Sequence, residues 1–305
     1  MESVTERPSR LAWRTTEPLH ALVYLVPEAA EVYGRLGLDP SAGYFAARAA
    51  AFGTAGPGLV AATFYNFNPA LVARALPAAW DKVTPAQMIE ARREIVDAAL
   101  TRGLGAETLA GPEFAEAAEL ARTAALDAAS RPQGRPLFAA HTELPWPDAP
   151  HLVLFHAQTL LREFRGDGHI ALLVAAGISG VEANVLHVAS GLAKEKFLRF
   201  TRGWSRDDWS GAIESLRERG LVTGGEPAGE GEPRPLELSE EGKRLRAELE
   251  ERTDVLAEPA YRALGEKGCL RLAELTRPLS RTVVAAGLLN PNGLTAGAAE
   301  RNPRG

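Results

Sequence analysis

Apolar residues recur along this chain mostly at three- and four-residue intervals, so it reads as a succession of amphipathic helices with little strand. The clearest pattern lies between Trp204 and Leu238. Trp209, Ile213 and Leu216 form one apolar stripe at i, i+4 and i+7. Ser205, with Asp208 three residues on, predicts a reciprocally capped helix start, and Arg219-Gly220 predicts its stop. Leu221-Val222 opens a short strand, a Gly/Pro/Glu-rich tip follows, and Pro235-Leu236-Glu237-Leu238 returns in alternation before Ser239 caps another helix. The predicted order is helix, β-hairpin, helix.

Upstream, Thr15 to Leu36 reads as a helix with Leu19, Leu22, Val23, Val26, Ala30 and Tyr33 on its apolar face and a kink at Pro27. Further helices are expected over Gly43–Phe52, Leu59–Phe67, Leu71–Trp80, Thr84–Thr101 and Pro112–Ala129. The helix from Thr84 is signalled by a threonine cap, Pro85 and Gln87. Beyond the linker Ser130–Pro136 come His151–Phe164, Gly168–Ala176, a Ser179-capped helix reaching Ala189, and, after the hairpin, Leu245–Ala263 and Lys267–Ala286. The linker composition sets the expected division into 1–130, 137–289 and a flexible tail, 290–305.

The two halves also align with each other at a separation of about 125 residues. Gly43-Tyr-Phe-Ala-Ala falls on Gly168-His-Ile-Ala-Leu, Thr54 on Ser179, and Trp80 on Trp204, with Arg102-Gly-Leu104 matching Arg219-Gly-Leu221. This alignment predicts two related halves, the first without its wing, and hence a monomeric pseudo-dimer or a homodimer.

The stretch LRERGLV, a hairpin and LELSEEG resembles the winged helix of the MarR family, in which a recognition helix, a wing and a further helix follow in this order. With LLREFRGDGHIALL, RGWSRDDW and LEERTDVLA, the whole chain resembles an actinobacterial helix-turn-helix family. The resemblance implies a mainly α fold, a tandem winged-helix repeat with a small β-hairpin wing in the second half, and a DNA-binding, ligand-responsive regulator.

Composition narrows the setting. The 46% of hydrophobic residues in 305 can bury a substantial core, and a single cysteine excludes an internal disulfide framework. The charged MESVTERPSR start and the lack of a long apolar run point to neither export nor membrane insertion, so a cytoplasmic location is expected. A net charge of −5 and a pI of about 5.8 give no general attraction to phosphate, so any DNA site must be a local patch.

That patch is Lys194, Lys196, Arg199, Arg202 and Arg206, with Arg217 on the following helix; Asp207, Asp208, Glu214 and Glu218 oppose it, as do Glu226, Glu230 and Glu232 in the wing. A small-molecule pocket between the halves is expected from Phe64, Tyr65, Phe67, His169, His187 and Trp204, whose polar edges need partners, with Arg162 at its mouth. Arg162 and Arg165 suit either a ligand carboxylate or an internal clamp. If the pocket takes haem, His169, opening a helix after a glycine turn, is the chosen iron ligand. No zinc spacing or nucleotide loop is present, and no catalytic residue is assigned. Two readings stand: a DNA-binding regulator, and a small-molecule or haem protein, with or without enzymatic activity, on a winged-helix scaffold that no longer binds DNA.

Overall fold

The computed structural model describes residues 7–225 and 235–289; the acidic wing tip and the tail from 290 lie outside these residues. The chain is mainly helical, with one two-stranded antiparallel sheet among the described residues. Among the described residues nine helices open on proline, whose fixed φ and missing N–H suit a first turn. They are α1 (Pro8–Ala21), α2 (Pro27–Arg35), α3 (Pro40–Ala49), α4 (Pro57–Thr63), α5 (Pro69–Ala75), α6 (Pro85–Leu104), α8 (Pro112–Ala128), α9 (Pro136–Thr142) and α10 (Pro150–Ala175); the short α7 is Ala106–Leu109. There follow α11 (Gly180–Ala189), α12 (Glu195–Arg202), α13 (Arg206–Glu218), β1 (Val222–Thr223), β2 (Glu237–Leu238), α14 (Glu240–Ala257) and α15 (Gly265–Ala285).

The chain forms two compact units. Unit 1 gathers the residues up to Ala55, Ala75–Asp167 and those from Asp254 on. In it α1 lies along α15, where Ser280 donates to the carbonyl of Thr15 at 2.5 Å and Thr276 to its hydroxyl at 3.0 Å. α8 turns Ala117, Ala121, Ala124, Ala125 and Ala128 inward, all fully buried, and such small side chains let α15 pack close. Phe45, Met88, Ile95, Phe114, Phe138 and Phe164 supply the volume of the interior.

Unit 2 comprises Gly56–Arg74 and Gly168–Thr253. Its core gathers Leu172, Ile178, Val185, Trp209, Leu216 and Leu238. In the hairpin Val222 pairs with Leu238 and Thr223 with Glu237, and Ser239 accepts the Gly242 amide at 3.0 Å to start α14. Gly242 is required there, because a Cβ would stand 2.0 Å from the Leu221 carbonyl oxygen.

Several sequence expectations are corrected. The helix expected to kink at Pro27 instead breaks, through a 3-10 turn at Leu22–Tyr24, because proline starts a new helix more readily than it continues one. His151–Phe164 and Gly168–Ala176 are not two helices: α10 runs unbroken through Gly166 and Gly168. Two internal glycines cost about 1 kcal/mol each, which burial of Leu160, Leu161, Phe164, Leu172 and Leu173 outweighs. The linker 130–136 is not a boundary but lies inside unit 1, where Arg131 and Arg135 donate to the carbonyls of Pro259 and Leu256 at 2.8 and 3.0 Å. The units therefore do not follow the two sequence halves, and Gly56–Arg74 of the first half belongs to unit 2. Trp80 and Trp204 each precede a capped helix and donate the indole N–H to a backbone carbonyl, of Ala55 and Asn66, at 3.0 Å. The caps do not match: Ser179 caps α11, whereas α4 starts after Gly56 with no side-chain cap and Thr54 stands outside it.

Candidate functional site

In unit 2 α12, a three-residue turn and α13 follow one another, both packed on α11 and followed by the hairpin. α12 ends at Gly203 in the left-handed conformation (φ 73°), where a Cβ would also meet Leu71 at 2.8 Å. Ser205 and Asp208 form a reciprocal capping box at the start of α13. Trp209, Ile213 and Leu216 point into the core, as their spacing requires, leaving Arg206, Asp207, Ser210, Gly211, Glu214 and Glu218 exposed. Glu182 fixes α11 to α13: beyond its capping box with Ser179 it accepts the Ser215 hydroxyl at 2.8 Å and faces Arg219 at 3.5 Å. Burial pulls this carboxyl up, but the Ser179 amide and hydroxyl, Ser215 and Arg219 outweigh it and hold it below its ordinary value.

The six cations expected at DNA divide in two. Lys194, Lys196 and Arg206 are exposed. Arg199 faces Glu195 at 3.4 Å, Arg202 lies 4.5 Å over the Phe67 ring, and Arg217 pairs with Glu214 and donates to the Gly224 carbonyl at 2.9 Å. The outer face of α13 carries four carboxylates against Arg206, and on α12 Phe200 is 85% exposed.

The residues expected at a pocket are occupied by the protein. Tyr65 donates to the Ile178 carbonyl at 2.7 Å, Trp204 to that of Asn66, and Phe64 and Phe67 pack on each other at 6.4 Å, both buried. Their polar edges therefore need no ligand. His169 does not open a helix; it sits within α10, its Nδ1 2.9 Å from the Thr253 hydroxyl, so the glycine turn that recommended it for haem iron is absent. The His187 imidazole is pushed below its ordinary value by burial and then by Arg246 and Arg202. In unit 1 Arg162 pairs with Glu17, and Arg165 with Asp254 at 2.9 Å, so both guanidiniums face carboxylates of the chain itself. Among the described residues no three His, Cys, Asp or Glu side chains converge as metal ligands.

Sequence reasoning missed a buried polar cluster within unit 1, which contains His20, Tyr24, Arg48, Arg92, His141 and Gln158. Tyr44 accepts from Arg48 Nη1 at 3.1 Å, and Arg48 also faces Glu163 at 3.4 Å. His20 Nε2 lies 3.0 Å from the Thr159 hydroxyl, and Gln158 Oε1 accepts the Thr16 hydroxyl at 2.9 Å. Burial, then the charges of Arg92 and Arg48, holds the His20 imidazole well below its ordinary pKa, and His141 is held down by burial, Arg92, His156 and Arg48. Both rings are neutral at pH 7. A signal was present in the sequence: Thr16 and His20 stand four apart on the apolar face of α1, and Gln158, Thr159, Arg162 and Glu163 repeat at helical spacing among the leucines of α10.

No single helix among the described residues is long and apolar enough to cross a membrane. No curated protein and no solved structure matches the chain. The model of a helix-turn-helix family matches residues 9–290, nearly the whole chain, and with the α12–turn–α13–hairpin order of unit 2 already in view, the chain belongs to that helix-turn-helix family.

Proposed function

We propose that the protein is a ligand-responsive transcriptional regulator of MarR-like type that contacts duplex DNA through the α12–α13 edge of unit 2. The supporting observation is the exposure of Lys194, Lys196 and Arg206 around a capped second helix, since phosphate neutralisation by exposed cations supplies most of the affinity of such contacts. Arg199, Arg202 and Arg217 join them by exchanging intramolecular partners for phosphates, at a cost that makes their contribution smaller. The test is selection from a random duplex library, then salt titration of the enriched sequence by fluorescence anisotropy. Lys196→Ala and Arg206→Ala should each weaken binding and flatten the slope of log K against log salt by roughly 0.9. Failure of any duplex to enrich, or slopes unmoved in both variants, removes the proposal.

A second reading is favoured by one observation: Asp207, Asp208, Glu214 and Glu218 are all exposed on α13, the element that would enter the major groove, where they repel phosphate. On this reading the winged-helix scaffold binds a small molecule and no DNA. The same library selection separates the two readings, and an absorbance spectrum of freshly purified protein tests for haem.

A further inference from the structure

The ring of Tyr24 is the centre of the buried cluster in unit 1. It lies 5.7 Å from His20 and 5.5 Å from Tyr44, with the guanidinium carbons of Arg48, Arg92 and Arg162 at 5.8, 5.9 and 5.6 Å. Arg48 and Arg162 face Glu163 and Glu17. Arg92, 5% exposed, has no carboxylate among the described residues; its Nη1 reaches only the Ala47 carbonyl, at 3.4 Å, and its Nη2 has no hydrogen-bond partner. A guanidinium cannot shed its proton, so a cation buried without a counter-charge is costly to keep. Around it the atoms without a partner accumulate: both ring nitrogens of His141, Nδ1 of His20, the Tyr24 hydroxyl and the Gln158 amide nitrogen. His20 and His141 are 0% and 5% exposed. Folded interiors leave few such atoms, and these gather in the neighbourhood of one uncompensated cation. The contact of His20 Nε2 with the Thr159 hydroxyl and the bond from Thr16 to Gln158 Oε1 fix which edge of each group stays available.

We propose that this cluster is a binding site for a small organic anion bearing one carboxylate, held by Arg92, and at least one further oxygen, held by His141 or Tyr24. One uncompensated charge fits a monoanion, and the planar fork of Arg92 matches a carboxylate. The Phe155 ring, stacked on His20 at 4.9 Å and 5.4 Å from the Arg92 guanidinium, places apolar surface beside Arg92 for the carbon skeleton. A metal cation is disfavoured, since three guanidiniums surround Tyr24. The site lies in unit 1 and stands whether or not unit 2 binds DNA.

The test uses the full chain, dialysed against chloride buffer, in thermal-shift measurements with acetate, lactate and benzoate at matched ionic strength. Lactate or benzoate at roughly ten times its Kd should raise Tm by about 3 °C over equal chloride, with acetate weaker. Arg92→Gln should abolish the rise. Arg92→Lys, which keeps the charge and loses the fork, should reduce it, and His141→Gln should reduce the lactate response more than the acetate response. These two milder variants decide the question if Arg92→Gln does not fold. No rise with any of the three acids overturns the site, as does an undiminished rise in Arg92→Lys and His141→Gln. In crystals soaked with benzoate the carboxylate should lie on Arg92; ordered water alone at these atoms assigns the polar groups to structure and also overturns the site.

Discussion

Gly180 shows how much one residue can fix: a Cβ there would stand 1.9 Å from the backbone oxygen of Tyr65, and backbone cannot swing aside as a side chain can. Gly180→Ala should therefore cost about 3 kcal/mol, at the upper end of overpacking penalties, read by urea denaturation; a loss below about 0.5 kcal/mol would show that the approach relaxes freely. Two buried titratable groups in unit 1 give opposite pH signatures. His156 is pushed down to about 4 by burial and then by Arg93 and Arg92. The unfolded chain takes up this proton near pH 6.5 and the folded chain only near 4, so the group removes stability as pH falls through that window. Asp167 is pushed up to about 7, chiefly by burial, although its carboxylate accepts the Phe138 amide at 2.9 Å. Folded Asp167 keeps its proton where the unfolded chain has lost it, so it removes stability as pH rises from about 4 to about 7. Melting curves across pH 4–7 should show His156→Gln gaining on the wild type toward low pH and Asp167→Asn gaining toward neutrality. Parallel profiles for either variant would refute the corresponding assignment.

At the scale of elements, α11 and α13 are each started by a reciprocal cap, but the two caps carry different loads. Ser205 and Asp208 bond only to each other and to the start of their own helix among the contacts described, so Ser205→Ala should cost about 1 kcal/mol. Glu182 holds Ser179, Ser215 and Arg219 together, and Glu182→Ala should cost about 2–3 kcal/mol, because a second helix loses its anchor. Equal losses in the two variants, measured by denaturation, would show that the α11–α13 tie adds nothing. α13 was legible down to its cap and stop, because capping boxes and a 3.6-residue apolar stripe are local. α10 was not: Gly166 and Gly168 look like a break, and only the burial of the leucines on either side keeps the helix whole.

At the scale of the molecule, unit 2 is discontinuous in sequence. Trp204 and Asn184 both donate to the Asn66 carbonyl, and the Asn68 amide donates to the Arg202 carbonyl, so Gly56–Arg74 completes the core of unit 2. A fragment of residues 168–253 alone should fail to unfold cooperatively, since these groups and the Gly203–Leu71 contact lose their partners. A sharp, reversible transition from that fragment would show that 56–74 is dispensable.

The sequence by itself determined the helical class, the proline-opened starts of α6 and α8, the α13–hairpin–α14 order and the inward stripe of Trp209, Ile213 and Leu216. Each of these follows from propensity, capping or periodicity within a few residues. Only the tertiary structure decided where the units divide, which of the six cations are exposed, and that Tyr65 and Trp204 spend their polar edges on backbone carbonyls. The polar cluster of unit 1 was hidden for the same physical reason. Its members come from α1, the 3-10 turn Leu22–Tyr24, α3, α6, α9 and α10, some 140 residues apart, and each reads singly as one polar side chain on an apolar face. Their meaning arises from mutual proximity and from burial that removes water, and neither is encoded in spacing along the chain.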